Sequence, residues 1–452
     1  MPLRPRFALA CATHRLSRLR PFVLGLSLVW TFPAGAQSLV EIYEAARQYD
    51  ATYLAARAQA ESARFRAAQA GALRLPTVGL GASSTRTEAD PALGPDVSGT
   101  AHQLALQARQ PLFNRTNAVS IDQADKALDI SRADLIQAEQ DLIVRVAQAY
   151  FDVLAAQDAL NTARANKTAI AEQLASARRN FEVGTATITD TREAQARFDL
   201  ASAQELAAEN TLRTRQLALD QLVGRQGVTP KPLATPVVLP SVEPADPEAW
   251  VARALDAPAV RRAALAYEIA RLETDKARAG HLPTVDLVGS LARNRNNGSL
   301  YEAQRTAGNS STASVGVQFN LPLFAGFAVQ NRVKETLSLE EKARNDLEAA
   351  RRGVTLGTRQ AYLGVLSLQA QVQALEAAEA SSKLALEATQ TGYRVGVRVN
   401  LDVLNAQTQL FSTQRDLARA RYDVLLGHLR LRQAAGVLSP DDLASINDLL
   451  AR

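Results

Sequence analysis

Residues Tyr393 to Ala406 read Tyr-Arg-Val-Gly-Val-Arg-Val-Asn-Leu-Asp-Val-Leu-Asn-Ala, a short Gly-containing break between two long helix-forming runs. An earlier stretch, Phe181 to Asp190, reads Phe-Glu-Val-Gly-Thr-Ala-Thr-Ile-Thr-Asp and has the same order of residue types. Gly184 and Gly396 can adopt the left-handed conformation that ends a helix, and the β-branched residues that follow favour an extended link. The two stretches therefore predict the tips of two helical hairpins. Their polar residues, Asp190 among them, can alternatively serve only as caps of the returning helices.

The landmarks of one half of the chain recur in the other half. Leu-Pro-Thr-Val at residues 75–78 recurs at residues 282–285, and Phe181 recurs as Tyr393 at an offset of 212 residues. A Pro-rich stretch between the halves cannot continue a helix. The sequence therefore predicts an internal tandem repeat, with a first repeat at residues 37–226, a linker at 227–247, a second repeat at 248–436 and a C-terminal segment at 437–452.

Each repeat changes from a helical pattern to a strand pattern and back. Apolar residues alternate with polar or small ones at about 77–112 and again at about 284–322, which predicts two β-hairpins. We expect a polar loop through residues 294–298 inside the second hairpin. A helix of about 100 Å, a tip (184–190 or 393–402) and a return helix follow each hairpin. The fold class is thus α+β and mostly α.

Small residues at 4,3 spacing on the return helices predict an extended coiled-coil wall. We expect this wall to lack a central globular core. An all-helical rod is the alternative for the helices, but it leaves the two hairpins unexplained.

The first 36 residues have the features of a secretory signal peptide. Arg15, Arg18 and Arg20 precede an apolar run from Pro21 to Trp30, and Ala34-Gly-Ala supplies a cleavage site. A signal anchor is the alternative, but the apolar run is shorter than the ~20 residues that span a bilayer. We therefore expect an exported protein with residues 1–36 removed.

Charge and motifs argue against nucleic-acid binding and catalysis. The formal net charge of +5 belongs to five arginines of the predicted leader, so the remaining chain is formally neutral and has no nucleic-acid footprint. The single cysteine, Cys11, also lies in the leader. Three histidines remain, His102, His281 and His428, at unrelated elements without metal-ligand spacing. We expect no enzyme activity, no metal and no cofactor.

Four strands with one apolar face suit a membrane barrel, but four strands cannot close one. An open sheet edge in lipid leaves backbone groups unsatisfied at several kcal/mol each. The hairpins therefore favour several chains that share one barrel, and three chains would contribute twelve strands. Gln107 and Arg109 would then face water inside the bore. A soluble sheet with covered edges is the alternative.

Several motifs resemble the TolC family of trimeric outer-membrane exit ducts over essentially the whole mature chain. The matching stretches are Gly280–Leu287 (Gly-His-Leu-Pro-Thr-Val-Asp-Leu), Ala149–Leu154 (Ala-Tyr-Phe-Asp-Val-Leu), both tips and Leu401–Leu404. The resemblance implies a homotrimer in the outer membrane, with a twelve-stranded β-barrel continued by an α-helical periplasmic tunnel. It also implies the exit duct of a tripartite type I secretion or efflux system for protein or small-molecule cargo. A periplasmic adaptor and an inner-membrane ABC or proton-driven transporter would serve this duct. A structural coiled-coil protein of the periplasm or cell surface is the alternative.

The resemblance also implies site residues at the tunnel's far end. Its periplasmic gate falls on Thr189, Asp190, Tyr393, Arg398 and Arg421, where polar links hold the entrance shut. Its pore constriction falls on Asp402 and Asn405. Because Asn405 takes the place of a second acidic residue, we expect weaker cation selectivity than in the family.

Overall fold

The computed structural model describes residues 36–90, 92, 95–234 and 236–451, so the predicted leader lies outside the described residues up to Gly35. The chain is mostly helical, and its two halves repeat the same order of elements. None of the helices in these ranges combines the length and the hydrophobicity needed to cross a membrane. The elements are α1 (Leu39–Tyr49), α2 (Ala51–Gly71), β1 (Thr77–Ala89), β2 (Val97–Phe113), α3 (Arg115–Glu182), α4 (Ile188–Val223), α5 (Pro247–Ala254), α6 (Pro258–Arg278), β3 (Thr284–Asn297), α7 (Ser299–Ala303), β4 (Gly308–Asn320), α8 (Ala328–Arg394), α9 (Asn400–Ala434) and α10 (Asp441–Asn447).

The two longest helices end at glycines, as the sequence predicted. α3 has 68 residues and α8 has 67, so each is about 100 Å long. Gly184 and Gly396 both have a φ of +79°, which confirms the left-handed conformation expected of them. The Thr185 N–H then donates to the Asn180 carbonyl at 2.8 Å, and the equivalent bond at the second tip is 2.9 Å. These bonds close the last helical turns and reverse the chain.

The returning helices begin in different ways. At the start of α4, the backbone N–H of Asp190 donates to the Thr187 hydroxyl, while the Asp190 carboxylate accepts from the Thr187 N–H at 3.0 Å. This reciprocal pair is a capping box. α9 follows Val399, which provides no side-chain cap. Asp190 thus has a local structural task that no residue of the second tip shares.

The four strands form one antiparallel sheet in the order β1-β2-β3-β4, so β1 and β4 are its edges. Antiparallel pairing joins β1 to β2, β2 to β3 and β3 to β4, with one register shift between Pro111 and Phe113 of β2. The polar loop predicted through residues 294–298 is wrong in its extent, because Asn294 to Asn296 still pair with β4. The alternation simply continues with polar residues, and the turn contains the short helix α7, which the sequence analysis missed.

A hydrophobic core surrounds the middle of α3, contrary to the expectation of none. Leu142, Val146 and Tyr150 of α3 are buried against α1, and the cluster includes Leu425 and Leu429 of α9. We call this cluster the belt core. Its apolar groups come from segments far apart in sequence, and burying them is favourable at about 25 cal/mol per Å².

The linker is fixed to both ends of the described chain. Gln37 donates its N–H to the Thr229 carbonyl at 2.7 Å, and Ala451 donates to Pro232 at 2.8 Å. The Tyr150 hydroxyl, inside the belt core, donates to the Lys231 carbonyl at 2.9 Å. The described part of the linker, residues 227–234 and 236–247, is therefore held against the packed helices and is not a loose tether.

The residues at 4,3 spacing on α9 pack against α8. We call this row of residues, in which small residues alternate with larger apolar ones, the seam. A Cβ added at Gly427 would lie 3.1 Å from Leu368 Cδ1 and 3.3 Å from Val365 Cγ2, closer than an ordinary contact. Six of the seam residues are buried, namely Leu410, Thr413, Leu417, Ala420, Val424 and Leu431. Close approach of the two helix axes explains why small residues alternate with leucines here.

Asp158 provides a test of the packing between α3 and α9. Its carboxylate accepts a hydrogen bond from the Tyr422 hydroxyl at 2.7 Å, and burial raises the pKa of the carboxyl above its usual range. A carboxyl whose pKa is higher in the folded state costs stability at neutral pH, and this cost disappears as the pH falls through the folded-state pKa. We expect Asp158→Asn, which keeps an acceptor for Tyr422, to have a Tm equal to or above wild type at pH 7.

The Tm difference between this variant and wild type should then narrow on acidification, as measured by thermal unfolding from pH 7 to pH 4. Asp129→Asn, at an exposed ion pair of the same helix, is the control. A difference that stays constant over this pH range would contradict the assignment.

Candidate functional site

The two faces of the sheet differ in chemistry. We call outer face the side that presents the apolar alternate residues of all four strands, among them Val78, Leu80, Leu106, Leu291, Val315, Val317 and Phe319. These side chains are exposed, Leu80 to 70% and Val315 to 79%. The inner face bears Gln107, Ser290, Asn294 and Gln318 in the intervening register positions. A sheet with one apolar and one polar face separates lipid from water.

Arg109 lies on the inner face, as the alternation predicted, but it has a partner that the sequence analysis did not foresee. Its Nη2 atom lies 2.6 Å from Asp286 Oδ2, and the Asp286 side chain is only 3% exposed. Asp286 follows the Leu-Pro-Thr-Val motif of the second repeat. The pair therefore neutralises a buried carboxylate and joins β2 to β3 at the helix end of the sheet.

Three polar links join the first hairpin tip to the second. Near the ends of α3 and α8, Asn180 Nδ2 donates to the Tyr393 hydroxyl at 3.2 Å. Between the two returning helices, Arg197 Nη2 of α4 donates to Asn405 Oδ1 of α9 at 3.1 Å. Gln173 Nε2 donates to Oδ1 of the buried Asn400. We call these three hydrogen bonds the tip links.

The structure distributes the predicted gate residues among several contacts. Tyr393 joins the tip links, whereas Asp190 caps its own helix beside Thr189. Arg421 pairs with Glu376 of α8 at 2.9 Å. It lies about 28 Å along α9 from Asp402, so one chain does not bring it to the tips.

The predicted constriction residues both face arginines. Asp402 Oδ2 lies 3.6 Å from Arg398 Nη1 in an exposed pair one helical turn apart. Asn405 accepts from Arg197, as described above. Two guanidinium groups thus accompany one carboxylate at this level of each chain, which weakens the negative field that a lone Asp402 would produce. This geometry adds a reason to expect little cation selectivity.

Sequence reasoning missed Gln173, Asn180 and Arg197, although the repeat contains a signal for one of them. Asn180 immediately precedes Phe181, the counterpart of Tyr393 in the other half. Residues at matching positions of two parallel hairpins lie at the same height, so Asn180 was a candidate partner for Tyr393. No comparable signal exists for the other two, since every polar residue within about three turns of the tip satisfies the same argument.

Comparisons with known proteins agree with this architecture. The family model "Outer membrane efflux protein" matches residues 42–225 and 252–437, one segment in each half. The outer membrane protein TolC of Vibrio cholerae is 34% identical over 93% of this chain and 94% of its own length. The alkaline protease secretion protein AprF of Pseudomonas aeruginosa is 34% identical over 75% of this chain and 70% of its own length.

A solved structure supports the same conclusion for the fold. The outer membrane protein VceC of Vibrio cholerae has a TM-score of 0.75 at 21% identity, and the match covers 88% of this chain and 96% of that one. The family model matches both halves of the chain, and the match to the TolC relative covers nearly the full length of both proteins. The sheet with one apolar and one polar face agrees with both findings. The chain therefore belongs to the outer membrane efflux protein family, and it works in export at the outer membrane.

Proposed function

We propose that three copies of the chain form one exit duct, in which the sheets close into a twelve-stranded barrel and the helices continue it as a periplasmic tunnel. The observation that carries this proposal is the four-stranded sheet with an exposed apolar outer face and two free edges, β1 and β4. Four strands are too few to close, and each backbone group left unpaired at a lipid-exposed edge costs several kcal/mol. Pairing β1 of one chain with β4 of the next removes every edge.

The inner face then lines a water-filled bore. Gln107, Arg109 and Asn294 point into it, while the outer face contacts acyl chains. The division of the chain into repeats at residues 37–226 and 248–436 gives each copy two hairpins and two pairs of long helices. Three copies supply twelve strands and twelve long helices, so the barrel and the tunnel are each built from twelve elements.

The tunnel end formed by the hairpin tips is the proposed gate. Thr189, Asp190, Tyr393 and Arg398 are its proposed polar residues at the tips, and Asp402 and Asn405 form its proposed constriction. Arg421 is proposed to support the gate from further along the tunnel, where it holds α9 against α8 through Glu376. The tip links support this assignment because they join the two hairpins of one chain at the level of the constriction. Hydrogen bonds of this kind contribute only about 0.5–1.5 kcal/mol each. Links of this strength can be broken when another protein binds, which suits a latch.

A duct of this kind needs partners that drive its cargo. We propose a periplasmic adaptor that binds at the tips and an inner-membrane transporter, either ABC-type or proton-driven. The relative AprF is named for alkaline protease secretion, which favours protein among the cargo classes. The chain itself acts as a conduit and catalyses no reaction. In the described ranges, no group of three or more His, Cys, Asp or Glu side chains is placed to hold a metal ion.

Fractionation and planar-bilayer recording of the purified protein test this function. We expect an outer-membrane protein that migrates as a heat-modifiable trimer and gives small, mostly closed single-channel currents. A folded protein that stays monomeric, or that gives no current at any voltage, would contradict the duct and favour a structural coiled-coil role.

A further inference from the structure

The outer face has two different borders. At the helix end of the sheet, Phe113, Phe324 and Phe327 are exposed, and the rings of Phe324 and Phe327 meet edge to face at 5.5 Å. Aromatic rings of this kind mark the level of lipid headgroups at a membrane interface. At the opposite end, next to the hairpin turns, the apolar rows give way to basic residues. The asymmetry means that the two leaflets meet different chemistry.

The basic border consists of Arg293, Arg295 and His102, which we call the rim cluster. Arg293 pairs in register with Leu104, and Arg295 pairs with His102, so all three side chains lie on the outer face. Alternate residues of a strand are about 7 Å apart, and directly paired residues about 5 Å. Three nitrogen-bearing side chains thus share an area of roughly 7 Å by 5 Å, with Ser84 and Asn309 in the same cross-strand row.

The two arginines of the rim cluster are exposed and have no acidic neighbour within ion-pair distance among the described residues. Other arginines of the sheet differ, because Arg86 pairs with Glu88 at 2.9 Å and Arg109 pairs with Asp286. A lipid-facing arginine is strongly destabilising at the bilayer midplane and is tolerated near the interface. The rim cluster therefore belongs at the headgroup level of the outer leaflet, where an anionic partner can contact it.

A bound partner must satisfy two conditions at once. It must offer anionic oxygens to two guanidinium forks, and it must cover the apolar residues Leu104 and Leu291, which lie in the adjoining rows. Guanidinium groups bind phosphate bidentately through charge-assisted hydrogen bonds. A lipid with phosphate on its headgroup meets both conditions, because its acyl chains continue down the apolar rows.

We propose that the rim cluster binds the headgroup phosphate of an outer-leaflet lipid, the phosphorylated lipid A of lipopolysaccharide, with one site on each chain of the trimer. This inference rests on the proposed barrel, which sets the rim cluster at the outer leaflet. The site sets the depth of the barrel in the membrane at the outer leaflet, and the aromatic border sets it at the inner, periplasmic leaflet.

Binding of lipopolysaccharide to the purified trimer in detergent tests the proposal. We expect Arg293→Gln combined with Arg295→Gln to weaken binding by about tenfold or more, since the charge-assisted hydrogen bonds from both guanidinium groups are lost. The control is Arg344→Gln with Arg351→Gln, which removes two exposed arginines of α8 that are held in local ion pairs. The control should bind as wild type does.

Two further measurements use the wild-type trimer and remain informative if the double variant does not fold. Enzymatically dephosphorylated lipopolysaccharide should bind about as weakly as intact lipid binds the variant. Millimolar inorganic phosphate should displace little lipid, because it lacks the apolar contacts. Equal binding of the dephosphorylated lipid, unchanged binding by the folded variant, or complete displacement by free phosphate would each overturn the lipid site. If the wild-type protein forms no heat-modifiable trimer and gives no current, the proposed duct itself is contradicted.

Discussion

Removing two tip links per chain should change the duct from mostly closed to mostly open. The variant Arg197→Gln with Tyr393→Phe removes the donor to Asn405 and the acceptor for Asn180, which lie 3.1 and 3.2 Å away in wild type. Six links are lost in a trimer, and at about 0.5 kcal/mol each, the lower end of the usual net contribution of a hydrogen bond, the total is about 3 kcal/mol. The open-to-closed ratio should therefore rise on the order of 100-fold. Single-channel recording in a planar bilayer measures this ratio directly.

The control for this variant breaks polar contacts that stay within one hairpin. Arg164 and Lys167 of α3 both contact Glu205 of α4, at 3.2 and 2.9 Å. Replacing both with Gln removes two links per chain without separating the first hairpin from the second. We expect open probability to remain at the wild-type level. An equal rise in both double variants would show that general loosening of the helices, and not the tip links, opens the duct.

Asp190 is a poor choice for the same experiment, although the family resemblance points to it. Its carboxylate and backbone N–H both bond to Thr187 in the capping box of α4. Losing an N-cap costs roughly 0.5–2 kcal/mol in its own right. A larger current in Asp190→Ala would therefore have two causes that the experiment cannot separate. One is unfolding of the first turn of α4, and the other is loss of a gate contact. Tyr393 and Arg197 have no such local task, so their variants report on the contact between hairpins.

Most of the architecture follows from local sequence. Gly184 and Gly396 end their helices because few other residues tolerate φ near +79° without strain. The strands follow from a period of two that changes abruptly from the helical pattern. The repeat is visible because duplicated turns keep the same residue types. Each of these features depends on residues within one turn or one hairpin, and such features can be predicted from sequence.

The contacts between distant segments could not be predicted in this way. The belt core combines residues of α1, α3 and α9 that are separated by hundreds of positions, and nothing in the local pattern of α3 distinguishes Tyr150 from a residue facing another chain. Likewise, Arg197 and Asn405 are 208 residues apart. Their pairing depends on the relative orientation of the two helical hairpins, which is set by packing across the whole molecule. Polar pairs of this kind also contribute little to stability, so they leave no recognisable pattern in the neighbouring sequence.

The polarity of the sheet leads to a second large effect, at the other end of the molecule. Leu106 lies on the outer face in register with Leu80 and Leu291, close to the middle of the apolar rows. An arginine at this depth costs ~2–4 kcal/mol in lipid, and a trimer contains three copies, so the total is roughly 6–12 kcal/mol. We expect Leu106→Arg to reduce the amount of heat-modifiable trimer in the outer membrane at least tenfold.

Gln107→Arg is the matched control, because Gln107 is the next residue on the same strand and faces the opposite side of the sheet. If the inner face lines a water-filled bore, its side chains reach water and the added charge costs little. This variant should therefore assemble at wild-type levels and shift the reversal potential in a salt gradient toward anions, because three arginines are added to the bore. Quantitative immunoblotting of unheated outer-membrane fractions gives the trimer yield of both variants. Equal yields would show that the two faces do not divide lipid from water, and a loss confined to Gln107→Arg would mean that the assignment of the faces is reversed.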